Sequence, residues 1–318
     1  MKAAVIGAGY LGRFHAQKYA AMEDVELVAV VDTDQERSRQ VAEEVGSEGH
    51  TSFEHLLGQI DVASVVVPTT LHHQVARKLL ENGVHILLEK PMTTTREEAS
   101  DLIGLAEEKG LVLQVGHLER YNPAIVTLEE RVTRPLFIEA HRLSGFKERA
   151  IDVDVVLDLM IHDIDIVLAL VKSQVKEIKA AGVPVLTPRV DIANVRLIFE
   201  NGCTANLTAS RISLTDLRRI RIFQPGCYIS ADCSQRNNLI VTADRSSPNP
   251  ASSIRPEYLT HQQVDILDLE LRDFVRSVRN GLTPRVDGRA GLRALSLALD
   301  INEAIERGLE AAGISDVL

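Results

Sequence analysis

Along the first 116 residues, short apolar runs alternate with longer segments whose apolar positions recur every three or four residues. The runs at 2–6, 26–32, 62–67, 84–88 and 111–116 read as strands, and the segments near 10–21, 34–45, 70–82 and 95–109 as helices. Strands that are apolar throughout and separated by helices predict a parallel sheet covered on both faces. Right-handed crossovers then make it a doubly wound α/β domain of Rossmann type. After residue 131 the rhythm changes. Strand-like segments near 135–142, 176–182, 190–199, 203–210, 217–224, 227–233 and 238–242 accompany one long apolar helix at 154–171. Asn201-Gly202 and Pro225-Gly226 carry the turn chemistry that joins neighbouring strands. These segments predict an α+β domain with a largely antiparallel sheet and a helix on one face. The Pro- and Ser-rich stretch 245–256 reads as a polar loop, and helices near 262–280 and 288–308 close the chain. The expected division is 1–121 for the first domain and 122–318 for the second.

The first strand runs into Gly7-Ala8-Gly9-Tyr10-Leu11-Gly12, and Asp32 ends the second strand. In such a strand–turn–helix unit, the first glycine permits the tight turn. The second lets backbone approach a pyrophosphate, and the third lets helix and strand pack closely. The phosphates would meet the free amides of the helix start, which Tyr10 and Leu11 open. The Asp32 carboxylate can accept both ribose hydroxyls of NAD and would repel a 2′-phosphate, which favours NAD over NADP. Arg37 and Arg39 lie close by and could neutralise such a phosphate, but they fall within a polar helix and read as solvated surface.

Two further features carry chemistry. Strand 84–88 ends in Glu89-Lys90-Pro91, which places Lys90 at the carboxyl edge of the sheet, where ligands of such sheets bind. His72 follows the third strand at the same edge and is expected to line the nicotinamide pocket. Helix 154–171 is apolar nearly all round, so it is expected to be buried. Its polar exceptions Asp154, Asp158, His162 and Asp165 are spaced four, four and three apart, an arc of about 80° at ~100° per residue. Asp158, one turn before His162, can orient its imidazole as a general base requires. Asp163 falls outside the stripe and is given a structural role.

Composition narrows the function. The 318 residues hold 35 Lys plus Arg against 45 Asp plus Glu, a formal net charge of −10, which argues against nucleic-acid binding. Arg218, Arg219 and Arg221 alternate with Ile220 and Ile222 and read as the wet face of a strand. Three cysteines without CxxC spacing read as reduced thiols, and no Cys/His cluster has metal spacing, so no metal is expected. No segment reaches the roughly 18 apolar residues that span a bilayer. The start lacks a signal-peptide pattern, so a cytoplasmic protein without a membrane partner is expected.

Together these residues resemble the Gfo/Idh/MocA family of NAD(P)-dependent oxidoreductases over the whole chain. The resemblance rests on the glycine motif, Pro68 with His72, Glu89-Lys90-Pro91, and Asp158-x-x-x-His162-x-x-Asp165. It implies Lys90 and His162 as the catalytic pair with Asp158 beside them. Gly7, Gly9, Tyr10, Leu11, Gly12, Asp32, Pro68, Thr69, His72, Glu89 and Lys90 would surround the cofactor. Members often carry glycines within the later motif, where this chain has Asp154 or Val155 and Met160.

The run Gly116-His117-Leu118-Glu119-Arg120-Tyr121-Asn122-Pro123-Ala124 is similar to a signature of a bacterial and archaeal subgroup. That subgroup includes UDP-N-acetylglucosamine 3-dehydrogenases. The likeness implies a sugar or nucleotide-sugar substrate, with Arg120 on a diphosphate, Asn122 on a sugar hydroxyl or amide, and Asp165 nearby. Arg120 could instead pair with an acid such as Glu119 within a connector. An inositol, glucose or dihydrodiol dehydrogenase and a non-enzymatic NAD sensor stay open as alternatives. Relatives pair through the open sheet face, which implies a homodimer or homotetramer.

Overall fold

The first strand, β1 (Lys2–Ile6), turns at Gly7 into α1 (Tyr10–Ala20), and strands and helices then alternate. They are β2 (Glu26–Val31), α2 (Gln35–Val45), β3 (Glu48–His50), β4 (Val62–Val65), α3 (His72–Glu81), β5 (His85–Glu89), α4 (Arg96–Lys109) and β6 (Leu113–Gly116). There follow α5 (Pro123–Arg131), β7 (Phe137–Leu143), α6 (Ile161–Val171), β8 (Val175–Val183), β9 (Ile192–Phe199) and β10 (Thr204–Ser210). The chain ends with β11 (Leu217–Gln224), β12 (Cys227–Asp232), β13 (Asn237–Thr242), β14 (Arg255–Thr260), α7 (Ile266–Asn280) and α8 (Gly288–Ala311). This computed structural model describes residues 1–146, 153–244 and 246–314. Among them no helix is long and apolar enough to cross a membrane.

Contacts divide the chain into two units, Met1–Leu118 with Asp265–Leu295, and Glu119–Val264 with Ser296–Leu318. The first holds a parallel sheet in the order β3-β2-β1-β4-β5-β6. That is the doubly wound order, which places ligands beyond the carboxyl ends of the strands, where the order reverses beside β1. Local signals set the helix ends. Asp34 accepts from the Arg37 amide to start α2, and Thr95 with Glu98 forms a reciprocal cap on α4. The edge strand β3 was absent from the expected elements, because three polar or glycine residues carry no readable period.

The first unit also claims α7, which the expected boundary at 121 places in the second domain. Its Leu267, Leu271, Phe274 and Val275 join Val5, Ala16, Tyr19, Val62 and Leu87 in one buried cluster. An apolar stripe shows that a helix must be covered, but not by which sheet.

The second unit holds eight strands in the order β14-β13-β12-β11-β7-β10-β9-β8. The β7–β10 pair is parallel and the other pairs are antiparallel. Asn201-Gly202 and Pro225-Gly226 turn the β9–β10 and β11–β12 hairpins as expected, with Gly202 and Gly226 at φ +85° and +74°. In β11 only Arg219 and Arg221 alternate with the buried Ile220 and Ile222. Arg218 shares the parity of the two isoleucines and reaches Glu119 at 3.5 Å, with its side chain still about half exposed (48%).

Two elements depart from expectation. Part of 245–256, whose first residue lies outside the described residues, is the start of the exposed edge strand β14. Pro256 is tolerated there because an edge strand need not donate on its outer side. The long helix is also not uniform. Val156–Met160 form a π turn before α6 begins.

Phe274 is fully buried in the α7 cluster. Phe274→Ala is expected to destabilise the first unit by about 3–5 kcal/mol. Denaturant unfolding of the full chain measures this, and a loss below 1 kcal/mol would contradict the placement of α7.

Candidate active site

In the first unit, a cleft of about 660 Å³ opens at the carboxyl edge of the sheet. Gly7, Gly9, Asp32 and Pro68 line it, with Arg37, Thr51, Phe53 and Leu71 among the other walls. The glycines differ in what they do. Gly7 has φ +104°, and a Cβ there would stand 2.3 Å from the Val66 carbonyl oxygen. A Cβ on Gly12 would stand 1.8 Å from the Gly7 carbonyl oxygen, so α1 can lie against the turn only without one. Around a Gly9 Cβ nothing lies within 4 Å. That backbone is open to a ligand, and the first amides of α1 have no side-chain cap. This cradle suits a pyrophosphate.

Asp32 sets the charge of the adjoining corner. One of its oxygens accepts from the Ala8 amide at 2.8 Å and the other from the Asp34 amide at 2.9 Å. Arg37 lies 3.5 Å from Asp32 and 3.2 Å from Asp34. One guanidinium between two carboxylates leaves a net negative corner, which suits the ribose hydroxyls of NAD and repels an added phosphate. Thr51 and Phe53 were missed from sequence. They follow the unrecognised β3, and no periodic signal marks them.

The other positions expected around the cofactor are arranged as follows. Tyr10 is 74% exposed, with its ring edge-on to Phe14 at 5.1 Å, and Leu11 packs on the core cluster. Thr69 opens a single turn before α3 and is half-buried. His72 is buried. Its Nε2 lies 2.9 Å from the Val67 carbonyl oxygen and its Nδ1 2.9 Å from that of Pro91, so the ring ties the end of β4 to the Lys90 loop. Burial holds its imidazole below the ordinary pKa, so the neutral ring donates to one of these oxygens at a time. Lys90 is half-buried and precedes a cis peptide bond to Pro91. Its backbone amide donates to the Glu89 carboxylate at 3.3 Å.

In the second unit, Asp154 caps the apolar helix by accepting from the Val156 and Leu157 amides, and its other oxygen accepts from Asn302 at 2.9 Å. Asp158 lies in the π turn and His162 in the first turn of α6, both half-buried. A π turn holds an extra residue, so the even 100° spacing assumed for the stripe does not hold across Asp158. Asp163 is fully given to structure. It receives Arg142 at 2.7 Å, and Arg142 also donates to Glu119 at 3.1 Å. Burial pushes the Asp163 carboxyl upward, while Arg142 holds that of Glu119 below its usual value.

The segment after β6 is therefore partly a structural device. Arg120 pairs not with Glu119 but with Glu129 at 2.7 Å and Asp165 at 3.4 Å. Asn122 is 2% exposed. Its oxygen caps α5 at the Ala124 amide, and its nitrogen donates to the Cys233 carbonyl and to Glu119. All three cysteines are free, and burial raises the Cys203 thiol to about 11 and Cys233 well above its ordinary value.

Comparison with known proteins supplies the family. The family model described as an oxidoreductase family with an NAD-binding Rossmann fold matches residues 1–117, and the GFO/IDH/MocA C-terminal domain model matches 126–224. The chain belongs to the Gfo/Idh/MocA oxidoreductases. It is 39% identical to UDP-N-acetylglucosamine 3-dehydrogenase of Acidithiobacillus ferrooxidans, over 98% of this chain and 99% of that protein. A solved structure of that dehydrogenase superposes with a TM-score of 0.91 over 97% of this chain and 99% of the other. Scyllo-inositol 2-dehydrogenase (NAD(+)) of Bacillus subtilis is 29% identical over 90% of this chain and 88% of its own. As a member of this family the chain is an NAD-binding oxidoreductase whose relatives act on CH–OH groups of sugars and polyols.

The glycine geometry separates binding from folding. Gly9→Ala should keep the parent melting temperature but lose at least tenfold in NAD affinity by calorimetry. Gly12→Ala should lower the melting temperature itself. Equal NAD affinity in Gly9→Ala would show that the cradle does not contact the pyrophosphate.

Proposed function

We propose that the protein oxidises the 3-hydroxyl of UDP-N-acetylglucosamine. The observation that carries this reading is the full-length 39% identity to the Acidithiobacillus enzyme, with the Gly116–Ala124 run intact. Nicotinamide, when bound, supplies the hydride acceptor. His162, oriented by Asp158, takes the proton from the ring hydroxyl. Lys90 donates a hydrogen bond to the same oxygen and stabilises it as carbonyl character develops. Arg120 and Asp165 form the substrate-facing pair, and Asn122, its amide used by the α5 cap, fixes the segment that carries them.

The same reading makes the protein a cytoplasmic homo-oligomer. Its second copy covers the face of the large sheet that carries Phe137, Phe223 and Tyr228, whose rings follow one another at 5.7 and 5.0 Å. Glu139 and Arg221 pair on that face, so the contact would be mixed apolar and polar.

The first test is a substrate panel with NAD and a carbonyl trap, following reduced nicotinamide. UDP-N-acetylglucosamine alone should react, and preferential turnover of myo-inositol, glucose or free N-acetylglucosamine would replace this reading with a polyol or simple-sugar dehydrogenase. Lys90→Ala should lower kcat by about 10²-fold or more while NAD affinity stays within threefold, and near-parent turnover would remove Lys90 from the chemistry. Sedimentation of Phe223→Glu should show a smaller species than the parent, and an unchanged species would clear this face of the contact.

A further inference from the structure

On the side of the parallel sheet that packs against α1 and α7, polar groups meet where a core would be apolar. Ser64 on β4, Leu87 on β5 and Gln114 on β6 stand in one cross-strand row, and Glu89 and Gly116 form the next pair. His15 of α1 lies with Nδ1 3.0 Å from the Ser64 hydroxyl and Nε2 3.2 Å from Glu89. Tyr19, also on α1, shares the Ser64 hydroxyl at 2.9 Å. The Glu89 carboxyl fills the space that a side chain on Gly116 would need, since a Cβ there would stand 2.7 Å from it. From α7 comes Glu270, wholly buried, whose two oxygens find no hydrogen-bond partner among the described residues. Its backbone carbonyl accepts from the Gln114 amide at 3.2 Å.

The charges that face Glu270 come from β5 and from α7 itself. Glu89 on β5 and Asp273 on α7 both repel a negative charge at Glu270. Asp273 is itself engaged by Arg276 and by the Arg285 amide at 3.1 Å. β4 and β6 contribute only the neutral Ser64 and Gln114, and α1 contributes His15, which faces Ser64 and Glu89, and the Tyr19 hydroxyl, which bonds Ser64 and also feels the charge of Glu270. Two buried carboxyls that interact cannot both ionise without a cation between them.

We propose that Glu270 stands as a neutral carboxylic acid near Glu89 and steadies the strand end that presents Lys90. Glu270 is thus a positioning residue, and its role rests on the assignment of Lys90 made above. Glu89 accepts from the Lys90 backbone amide, and His15 Nε2 stands 3.2 Å from its carboxyl, so Glu89 is the link between the buried acid and the edge of the cleft.

The sign of the pH dependence follows from burial, which raises the Glu270 pKa well above its ordinary value. The folded state then holds a proton that the unfolded chain releases above pH ~4.5, so this group's share of stability is full below that pH and is lost as pH rises toward the folded pKa. Glu270→Gln keeps a neutral group of similar shape and has no such slope.

Three measurements on the full-length protein test the proposal. The infrared difference between parent and Glu270→Gln at pH 8 should contain the C=O stretch of a protonated carboxyl, and its absence would overturn the proposal. Glu270→Gln should melt several degrees above the parent at pH 8 and together with it near pH 5. A variant that melts lower at pH 8 would show an ionised, paired Glu270 instead. Glu270→Ala should lower kcat at least tenfold with KM for NAD within threefold, and Glu270→Gln should recover kcat to within threefold of the parent. Equal loss in both variants would show that a charged Glu270 is needed. The first two measurements involve no substrate, so they decide this proposal even where the substrate panel rejects the dehydrogenase reading.

Discussion

The closest constraint in the first unit is the approach of α1 to the turn that follows β1. A single methyl group at Gly12 would overlap the Gly7 carbonyl, and one at Gly7 would overlap the Val66 carbonyl at the end of the neighbouring β4. Because neither carries a side chain, the start of α1 lies against the strand ends, and no side chain caps its first amides there. The position of Asp32, whose oxygen is anchored by the Ala8 amide inside the same turn, depends on this packing. A cradle that suits a diphosphate and a negative corner that suits a ribose are thus consequences of one close contact.

In the second unit the comparable constraint is ionic. Arg142 on β7 is buried between Glu119 and Asp163, so it joins the segment after β6 to the helix that carries His162. A buried ion pair adds little to stability compared with apolar packing, but leaving any one member alone would be costly. Such a set suits register better than strength. It fixes Asp163, and so the turn in which its neighbour His162 lies. The π turn just before is a second local departure from regular helix, and π turns collect at functional sites.

The run from Gly116 to Ala124 is largely taken up by the fold. Glu119 and Asn122 are absorbed by the fold, the first by Arg142 and the second by the α5 cap and the Cys233 carbonyl. Arg120 is held between Glu129 and Asp165. The polar side chains of this run are therefore tightly held, and rigidity of this kind is what a precise site requires of its supports.

By itself the sequence determined everything that rests on neighbours along the chain. The alternation of strands and helices, the glycine turn, the helix caps and the two hairpins follow from periodicity and backbone freedom within a few residues. So did the placement of Lys90 at a strand end and of His162 on an apolar helix. Only tertiary structure decided the partners of α7, the pairing of Arg142 with Glu119 and Asp163, and the edge strands β3 and β14. It also decided which acids Arg120 meets and that the Glu270 carboxyl is buried without a hydrogen-bond partner among the described residues. Each of these joins residues distant in sequence or depends on a neighbouring strand for its hydrogen bonds. An apolar stripe or a lone charge states a need for cover or a counter-charge, but the side chain that meets it is chosen by which surfaces the fold brings together.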